Sequence, residues 1–277
     1  MERGLKIPDG LRSLAETLDH PEGLCWCPRA KTIYAGGEHG QIYRVAPKGG
    51  TVELIAQIPN AFILGLAVDG AGLIYACDIG NHRVQRIDPR GTVEPYGDEI
   101  FYPNYPVFAA DGKLYVSDSG SWGGDDGAVI CIEPGGHTTR LPTPPLQFPN
   151  GLALLGDWLY VAESTRPGVM RMPRQGGEIR NVVDLDQVIP DGLAFDAEDG
   201  LWIACWQPNR IMRLASDGSL TIVADDWSGF HLLTPTNVAF AGDELAELAF
   251  STLGGNFIRA FPPGVKGRAL NYPQVTP

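Results

Sequence analysis

Positive charge is the first thing this chain lacks. Its 277 residues carry 21 Lys and Arg against 33 Asp and Glu, a formal net charge of −12, and the basic residues form no cluster. Nucleic-acid binding depends on neutralising phosphates with Lys and Arg, so that class of partner is excluded. No run of 18 apolar residues occurs, which leaves no candidate for a transmembrane helix. The N-terminus, Met1-Glu2-Arg3-Gly4-Leu5-Lys6-Ile7-Pro8, has no apolar core of signal-peptide length. The expectation is a cytoplasmic protein with neither nucleic acid nor membrane among its partners.

Other absences narrow the chemistry. Gly-x-Ser-x-Gly does not occur and no Ser-His-Asp order can be traced. Five cysteines, an odd number, fit a reducing compartment. Cys25-Trp26-Cys27 has no second Cys or His pair at ligand spacing, and Cys77, Cys131 and Cys205 sit in apolar strand patterns. All five read as buried free thiols rather than ligands or nucleophiles. Sustained helical periodicity is missing too, except near Leu11 to Leu18, where a short N-terminal helix is expected.

What the chain has is turns and a repeat. Gly 35 and Pro 23 imply many turns, and 44% hydrophobic residues suffice for a large core. Six times a tight turn leads into a short apolar strand: Pro21-Glu22-Gly23-Leu24, Ile63-Leu64-Gly65-Leu66, Pro103-Asn104-Tyr105-Pro106, Pro149-Asn150-Gly151-Leu152, Pro190-Asp191-Gly192-Leu193 and Pro235-Thr236-Asn237-Val238. One register position reads Glu22, Leu64, Asn104, Asn150, Asp191, Thr236, in steps of 42, 40, 46, 41 and 45 residues. That period suits a four-stranded propeller blade. Asp-Gly turns between β-rich runs, as at Asp69-Gly70 and Asp111-Gly112, mark hairpins inside the units. Third strands alternate basic and apolar residues, as in Gln41–Val45, Arg83–Ile87 and Arg210–Leu214, and Leu220–Ala224 is a fourth strand. The fold expected is all-β, a single six-bladed β-propeller over 1–277 with four antiparallel strands per blade.

Arranged around an axis, the register residues meet. Asn, Asp and Gly are ordinary turn residues, but Glu22 is not. Leu64 and Thr236 show that the fold does not require a carboxylate or amide there. Glu22, Asn104, Asn150 and Asp191 together make a hard-cation site. With no His or Cys in the set, the donors suit Ca²⁺, then Mg²⁺ or Mn²⁺, and Zn²⁺ less well.

In these motifs the sequence resembles the regucalcin (senescence marker protein), gluconolactonase and lactonase family of six-bladed propellers, over nearly its full length. The most specific stretches are Pro21-Glu22-Gly23, Pro149-Asn150-Gly151-Leu152-Ala153, Pro190-Asp191-Gly192-Leu193-Ala194 with Leu201-Trp202-Ile203-Ala204, and Pro235-Thr236-Asn237-Val238-Ala239-Phe240. The resemblance implies a divalent cation held by Glu22, Asn150 and Asp191. It places Asn104 near the metal, against substrate or a bound water, and makes Asp191 the general base of lactone hydrolysis. A cation there would polarise a lactone or ester carbonyl, with no activated Ser, Cys or Lys required.

The family pattern is broken beside Asn104. Sugar-lactone members typically carry Arg two residues before it and Asp just after it, where this chain has Tyr102 and Tyr105. With Trp122, Trp206 and Phe230, these suggest an aromatic mouth for a small-molecule substrate, and an apolar or aryl lactone or ester stands beside gluconolactone. His231 is a further candidate substrate contact. Asp78, Asp118 and Glu163, each 13 or 14 residues after its blade's register residue, read as turn or ladder-end acceptors. His82 reads as structural, and Gly123–Gly127 as a solvated turn. Two other classes stay open: a metal-dependent phosphotriesterase on the same fold, and a non-catalytic propeller serving as a binding platform. Substrate, physiological metal and oligomeric state are not determined by the sequence.

Overall fold

The computed structural model describes residues 4–275, all strands, turns and loops with no helix among the described residues. Two short strands, β1 (Leu5–Lys6) and β2 (Arg12–Ala15), precede the first blade. Blade 1 comprises β3 (Leu24–Cys27), β4 (Thr32–Gly36), β5 (Gln41–Val45) and β6 (Val52–Gln57). Blade 2 is β7 (Ile63–Val68), β8 (Ile74–Asp78), β9 (Arg83–Ile87) and β10 (Val93–Tyr96). Blade 3 is β11 (Pro103–Phe108), β12 (Leu114–Asp118), β13 (Ala128–Ile132) and β14 (Thr138–Arg140). Blade 4 is β15 (Pro149–Leu155), β16 (Trp158–Glu163), β17 (Gly168–Pro173) and β18 (Arg180–Asp184). Blade 5 is β19 (Ile189–Phe195), β20 (Leu201–Gln207), β21 (Arg210–Leu214) and β22 (Leu220–Asp226), and blade 6 opens with β23 (Pro235–Ala241), β24 (Glu247–Thr252) and β25 (Ile258–Phe261). The inner strands β3, β7, β11, β15, β19 and β23 each touch the next, and β23 touches β3, so the ring is closed. This is the six-bladed β-propeller expected from the repeat.

The N-terminal segment corrects one expectation. No helix forms near Leu11 to Leu18. Instead β2 pairs antiparallel with β25 and supplies the missing outer strand of blade 6. The unpaired edge of β25 offers Arg12–Ala15 backbone partners that an isolated helical turn could not match, and Leu14 and Ala15 become buried in the bargain. A propeller joined this way is held shut by its two chain ends. β1 similarly pairs with β22, giving blade 5 five strands rather than four.

The hairpins follow the turn chemistry of the sequence. Asp69 Oδ1 accepts the amides of Ala71 and Leu73, both at 2.9 Å, and Asp196 Oδ1 accepts those of Glu198 and Gly200 at 2.9 and 2.8 Å. Both carboxylates are buried by the blades they serve. The core lies between blades: Tyr34 and Ile42 of blade 1 pack with Ile63 and Ile74 of blade 2, and Leu193 and Ile203 of blade 5 with Tyr160 and Val169 of blade 4.

The six register motifs are not tight turns. Five of them lie inside the inner strands, and each of those strands breaks pairing register at that point, between Ile63 and Leu66, Pro103 and Pro106, Pro149 and Leu152, Pro190 and Leu193, and Pro235 and Val238. A bulge re-aims the side chain it carries. The glycines that follow have ordinary negative φ; what they provide is space. A Cβ on Gly23 would lie 2.1 Å from the carbonyl oxygen of Leu64, and one on Gly151 would lie 2.2 Å from that of Asp191. On Gly192 it would meet the Thr236 oxygen at 2.8 Å. Glycine there lets the inner strands of blades 1, 2, 4 and 5 press against the register residue of the next blade.

Candidate active site at the channel mouth

The five bulges, with Glu22 just ahead of β3, set Glu22, Leu64, Asn104, Asn150, Asp191 and Thr236 in one ring, linked blade to blade by those glycine contacts and by hydroxyl bridges. Thr236 Oγ1 and Ser251 Oγ each donate to the Glu22 carbonyl at 2.6 Å, joining blade 6 to blade 1. Ser117 Oγ donates to the Asn150 carbonyl at 2.7 Å, joining blade 3 to blade 4. Leu64 enters the apolar core between blades 2 and 3. Thus Leu64 and Thr236 serve the architecture, as expected.

The four oxygen-bearing members are almost wholly shielded: Glu22 is 5% exposed, Asn104 3%, Asn150 6% and Asp191 6%. Serines just past the second strands orient the two amides. Asn104 Nδ2 donates to Ser119 Oγ at 3.0 Å, and Ser119 Oγ donates in turn to the Pro149 carbonyl at 2.7 Å. Asn150 Nδ2 donates to Ser164 Oγ at 3.3 Å, and Ser164 Oγ donates to the Pro190 carbonyl at 2.8 Å. Each serine proton is committed to the next blade, so each serine can only accept from the amide. The Asn104 and Asn150 Oδ1 atoms are thereby left buried with no hydrogen-bond partner.

The carboxylates are equally unsupported. Burial pushes the Glu22 carboxyl up to about 8. Burial also raises Asp191 well above the usual carboxylate range, and the neighbouring Glu22 charge raises it further. Two like charges sharing a dry site disfavour ionisation of both. Orphaned acceptors in a buried site are costly, about 1–3 kcal/mol each, so native structures rarely keep them without a partner. Two carboxylates and two aimed amide oxygens with no protein cation or donor among them match the oxygen donor set of a hard divalent ion. A third orphaned amide oxygen, Asn237 Oδ1, lies against Gly192. It was not among the residues picked out from the sequence; its signal is an amide standing in the glycine register of blades 1, 2, 4 and 5.

Serines 119 and 164 were also not picked out. Their signal is a Ser after the acid that ends the second strand, Asp118-Ser119 and Glu163-Ser164. The acids themselves hold the chain entering the ring. Asp78 Oδ1 accepts the Phe62 amide at 3.2 Å, Asp118 Oδ1 that of Tyr102 at 2.9 Å and Glu163 Oε1 that of Gln147 at 2.6 Å. They are acceptors at strand ends, and these bonds set the second-strand ends and the entry loops at one end of the molecule. His82 is structural: its Nδ1 lies 2.7 Å from the Phe101 carbonyl and its ring stacks on Phe101. The five cysteines are buried and free.

Aromatic side chains gather at this mouth. Tyr102 and Trp122 both meet Phe148 edge to face, with ring centroids 5.6 and 4.7 Å apart, and Trp122 meets Trp206 at 6.5 Å. Phe148 was missed in the sequence, although it stands two residues before Asn150 as Tyr102 stands two before Asn104. Tyr102 feels the centre: burial and then the Glu22 charge raise its phenol. Tyr105 lies outside this aromatic group, although the centre reaches it too: burial first, then Cys25, Glu22 and Asp191, raise its phenol. It joins a core cluster with Val107 and Leu152 and lines a cavity of about 80 Å³ further along the inner strands, closed by the segment 268–272 and lined by no carboxylate residue. Phe230 stands in the loop before β23, largely exposed and outside the aromatic group. His231 is fixed by its main chain, whose amide donates to Asp226 at 2.5 Å, and its ring makes no hydrogen bond to the register residues. Gly123–Gly127 is a turn in the loop after β12, tied by Asp126 to Ser121.

A second acidic grouping, Asp19, His20 and Glu38, lies on the rim of blade 1. It is partly exposed, and Asp19 is already engaged by Gln41 at 2.9 Å and His39 at 2.6 Å.

Fold and mouth together define a six-bladed propeller whose channel opens on a buried ring of carboxylate and amide oxygens. The family model of the SMP-30/gluconolactonase/LRE-like region matches residues 94–254, over half of the chain, and the protein belongs to that family. A pentonolactonase of Haloferax volcanii is 24% identical over 264 residues, covering 85% of this chain and 82% of its own. An L-arabinolactonase of Azospirillum brasilense is 26% identical over 266 residues, covering 82% and 84%. Among solved structures, a calcium-binding regucalcin from Agrobacterium tumefaciens superposes with a TM-score of 0.79 at 16% identity, covering 98% of each chain. Among the described residues no helix is long and apolar enough to cross a membrane.

Proposed function

We propose that this protein is a divalent-cation-dependent hydrolase of a lactone or closely related ester, with Glu22, Asn104, Asn150 and Asp191 holding the cation and Asp191 acting as general base. The observation that carries this reading is the register position itself: it bears two buried carboxylates, one raising the other, and two serine-aimed, unpartnered amide oxygens, with no cation paired to them among the described residues. Family membership supports it, as do relatives whose names are lactonases. Ca²⁺ is the ion the all-oxygen donor set suits best.

A divalent cation bound in the ring would supply Lewis-acid polarisation of the substrate carbonyl and of a water molecule. Glu22 contributes the second negative charge that offsets the ion. Asn104 and Asn150, held by Ser119 and Ser164, need no reorganisation to present their oxygens. Asp191 takes up the proton that the attacking water loses as its oxygen bonds to the acyl carbon. The ring C–O bond then breaks, and the same carboxyl returns the proton to the departing oxygen.

The test is a panel of lactones, esters and phosphotriesters, assayed with Ca²⁺ and with chelator, on wild type, Asp191→Asn and Glu22→Gln. Lactone or ester turnover that needs the ion and both carboxylates is expected. Turnover that survives chelation and both substitutions overturns the mechanism, and turnover confined to phosphotriesters moves the same site to phosphoryl chemistry.

A further inference from the structure

Four aromatic side chains, Tyr102, Trp122, Phe148 and Trp206, form one connected group at the mouth. Its four members come from three successive blades: Tyr102 and Phe148 from the strand entries of blades 3 and 4, Trp122 from the loop after β12, and Trp206 from the end of β20. They stand at the end of the propeller that carries Asn104, Asn150 and Asp191, and Trp206 follows Cys205, which pairs with Pro190 beside Asp191. The rings meet at 60°, 70° and 73°, edge to face throughout. Edge-to-face contact is the geometry aromatic rings ordinarily prefer, and here one of the rings, Trp122, stays 59% exposed beside it.

Three features of this group are costly for a merely structural cluster. Trp122 is 59% exposed, yet its loop is pinned. Ser121 donates from N and Oγ to Asp126, both at 2.8 Å, and Gln147 Nε2 donates to Asp125 at 2.7 Å. An indole held rigid in water is presented rather than stored. Phe148, the hub, sits at φ +53°, a left-handed backbone that a bulky residue rarely adopts and that tends to mark functional positions. Finally, Trp206 Nε1 is buried with no hydrogen-bond partner, a donor aimed at no acceptor in the protein.

Building on the hydrolase reading above, we infer that this cluster is a substrate subsite for a flat, apolar aryl group attached to the hydrolysed lactone or ester, with the Trp206 indole N–H donating to an oxygen that the group carries. The chemistry selects against a polyhydroxylated ring. None of the four side chains is charged, and between them they offer two indole N–H groups and one phenol, too few partners for the hydroxyls of a sugar stripped of water. A site that cannot satisfy polar groups rejects them more strongly than it attracts apolar ones. A fused aryl ring loses nothing there and gains contact with Trp122 and Phe148.

The experiment uses the full chain with saturating Ca²⁺ and compares 3,4-dihydrocoumarin, a benzo-fused δ-lactone, with δ-valerolactone and glucono-δ-lactone. The benzo-fused lactone is expected to exceed the other two in kcat/KM by about tenfold or more. Trp122→Ala and Trp206→Phe should each cut that preference by roughly tenfold, chiefly through KM, as expected for losing one well-formed aromatic contact or hydrogen bond. Trp227→Ala, an exposed aromatic at the same end outside the cluster, should leave the preference unchanged. Binding of the corresponding lactam, 3,4-dihydro-2-quinolinone, is followed in parallel by calorimetry. Lactone turnover with no aryl preference, or a preference indifferent to Trp122 and Trp206, overturns the subsite while the hydrolase reading stands. Failure to hydrolyse any lactone, with lactam binding still dependent on Trp122, overturns the reaction and keeps the subsite. Absence of both sinks both.

Discussion

The amide nitrogen of Asn104 donates to the hydroxyl of Ser119 across 3.0 Å, and that bond settles which way the amide faces. Because Ser119 gives its own proton to Pro149, it cannot serve an amide turned the other way. Ser119→Ala frees the Asn104 side chain to rotate, and Ser164→Ala does the same for Asn150. Residues that orient ligands typically matter by 10–100-fold in metal affinity. We expect each substitution to weaken Ca²⁺ binding by about tenfold in calorimetry, with a stability loss near 1 kcal/mol. Unchanged affinity in both variants would show that the serines merely join the blades.

The cation-free protein should lose stability as pH rises. Glu22 titrates at about 8 when folded, against 4.5 for an ordinary Glu. Between those values the folded state keeps a proton that the unfolded state has released, so the slope of stability with pH is negative. Below about pH 4.5 both states are protonated and the penalty vanishes; above about 8 it is complete. Asp191 shifts in the same direction. In chelator, Tm should be lower at pH 8 than at pH 5 by several degrees, at roughly 2–4 °C per kcal/mol for a chain of this size. Ca²⁺ should restore it at pH 8 but do little at pH 5, where protons compete for the same oxygens. Glu22→Gln should flatten the pH dependence and raise the Tm of the cation-free protein at pH 8.

Packing of the ring is testable apart from its chemistry. A methyl group on Gly151 would lie 2.2 Å from the Asp191 carbonyl oxygen, and backbone cannot yield as a side chain can. Gly151→Ala should destabilise the fold by about 3 kcal/mol in urea unfolding, the upper range for overpacking. Gly135→Ala, where the added Cβ meets nothing within 4 Å, should be near neutral. Equal effects at the two sites would mean that the close approach of the blades is not what glycine provides.

The N-terminal strand offers a further check. Deleting residues 1–15 removes β2 and leaves the outer edge of β25 unpaired. The propeller should lose its cooperative thermal transition or gain a concentration-dependent tendency to associate through the open edge, visible by light scattering. Retention of a monomeric fold at the parent Tm would show that closure does not depend on this strand.

Legibility in the sequence followed the range of the interaction. The blades could be read because each hairpin is local: Asp69 and Asp196 organise turns within a few residues, and β5, β9 and β21 span the residues expected. The register position of Glu22, Asn104, Asn150 and Asp191 could be read because a period of 40 to 46 residues, once closed, brings like positions together. The N-terminal helix failed because four residues around Leu14 hold too little pattern to separate one period from another; the free edge of β25 decided it. Tyr105 failed to reach the aromatic group because the residue after Asn104 packs with Val107 and Leu152 in the core, a direction that sequence spacing does not encode.

By itself the sequence determined the all-β repeat, its six-fold count, the acidic balance, and which residues stand in register with oxygen to offer. Only the tertiary structure decided how those residues face. The register glycines proved to be clearances between blades, Ser119 and Ser164 to be the groups that aim the amides, and Phe148 to be the hub joining Tyr102 to Trp122. Each of these depends on contact between neighbouring blades. Such contacts join positions far apart in the chain, and their geometry is set only when the ring closes.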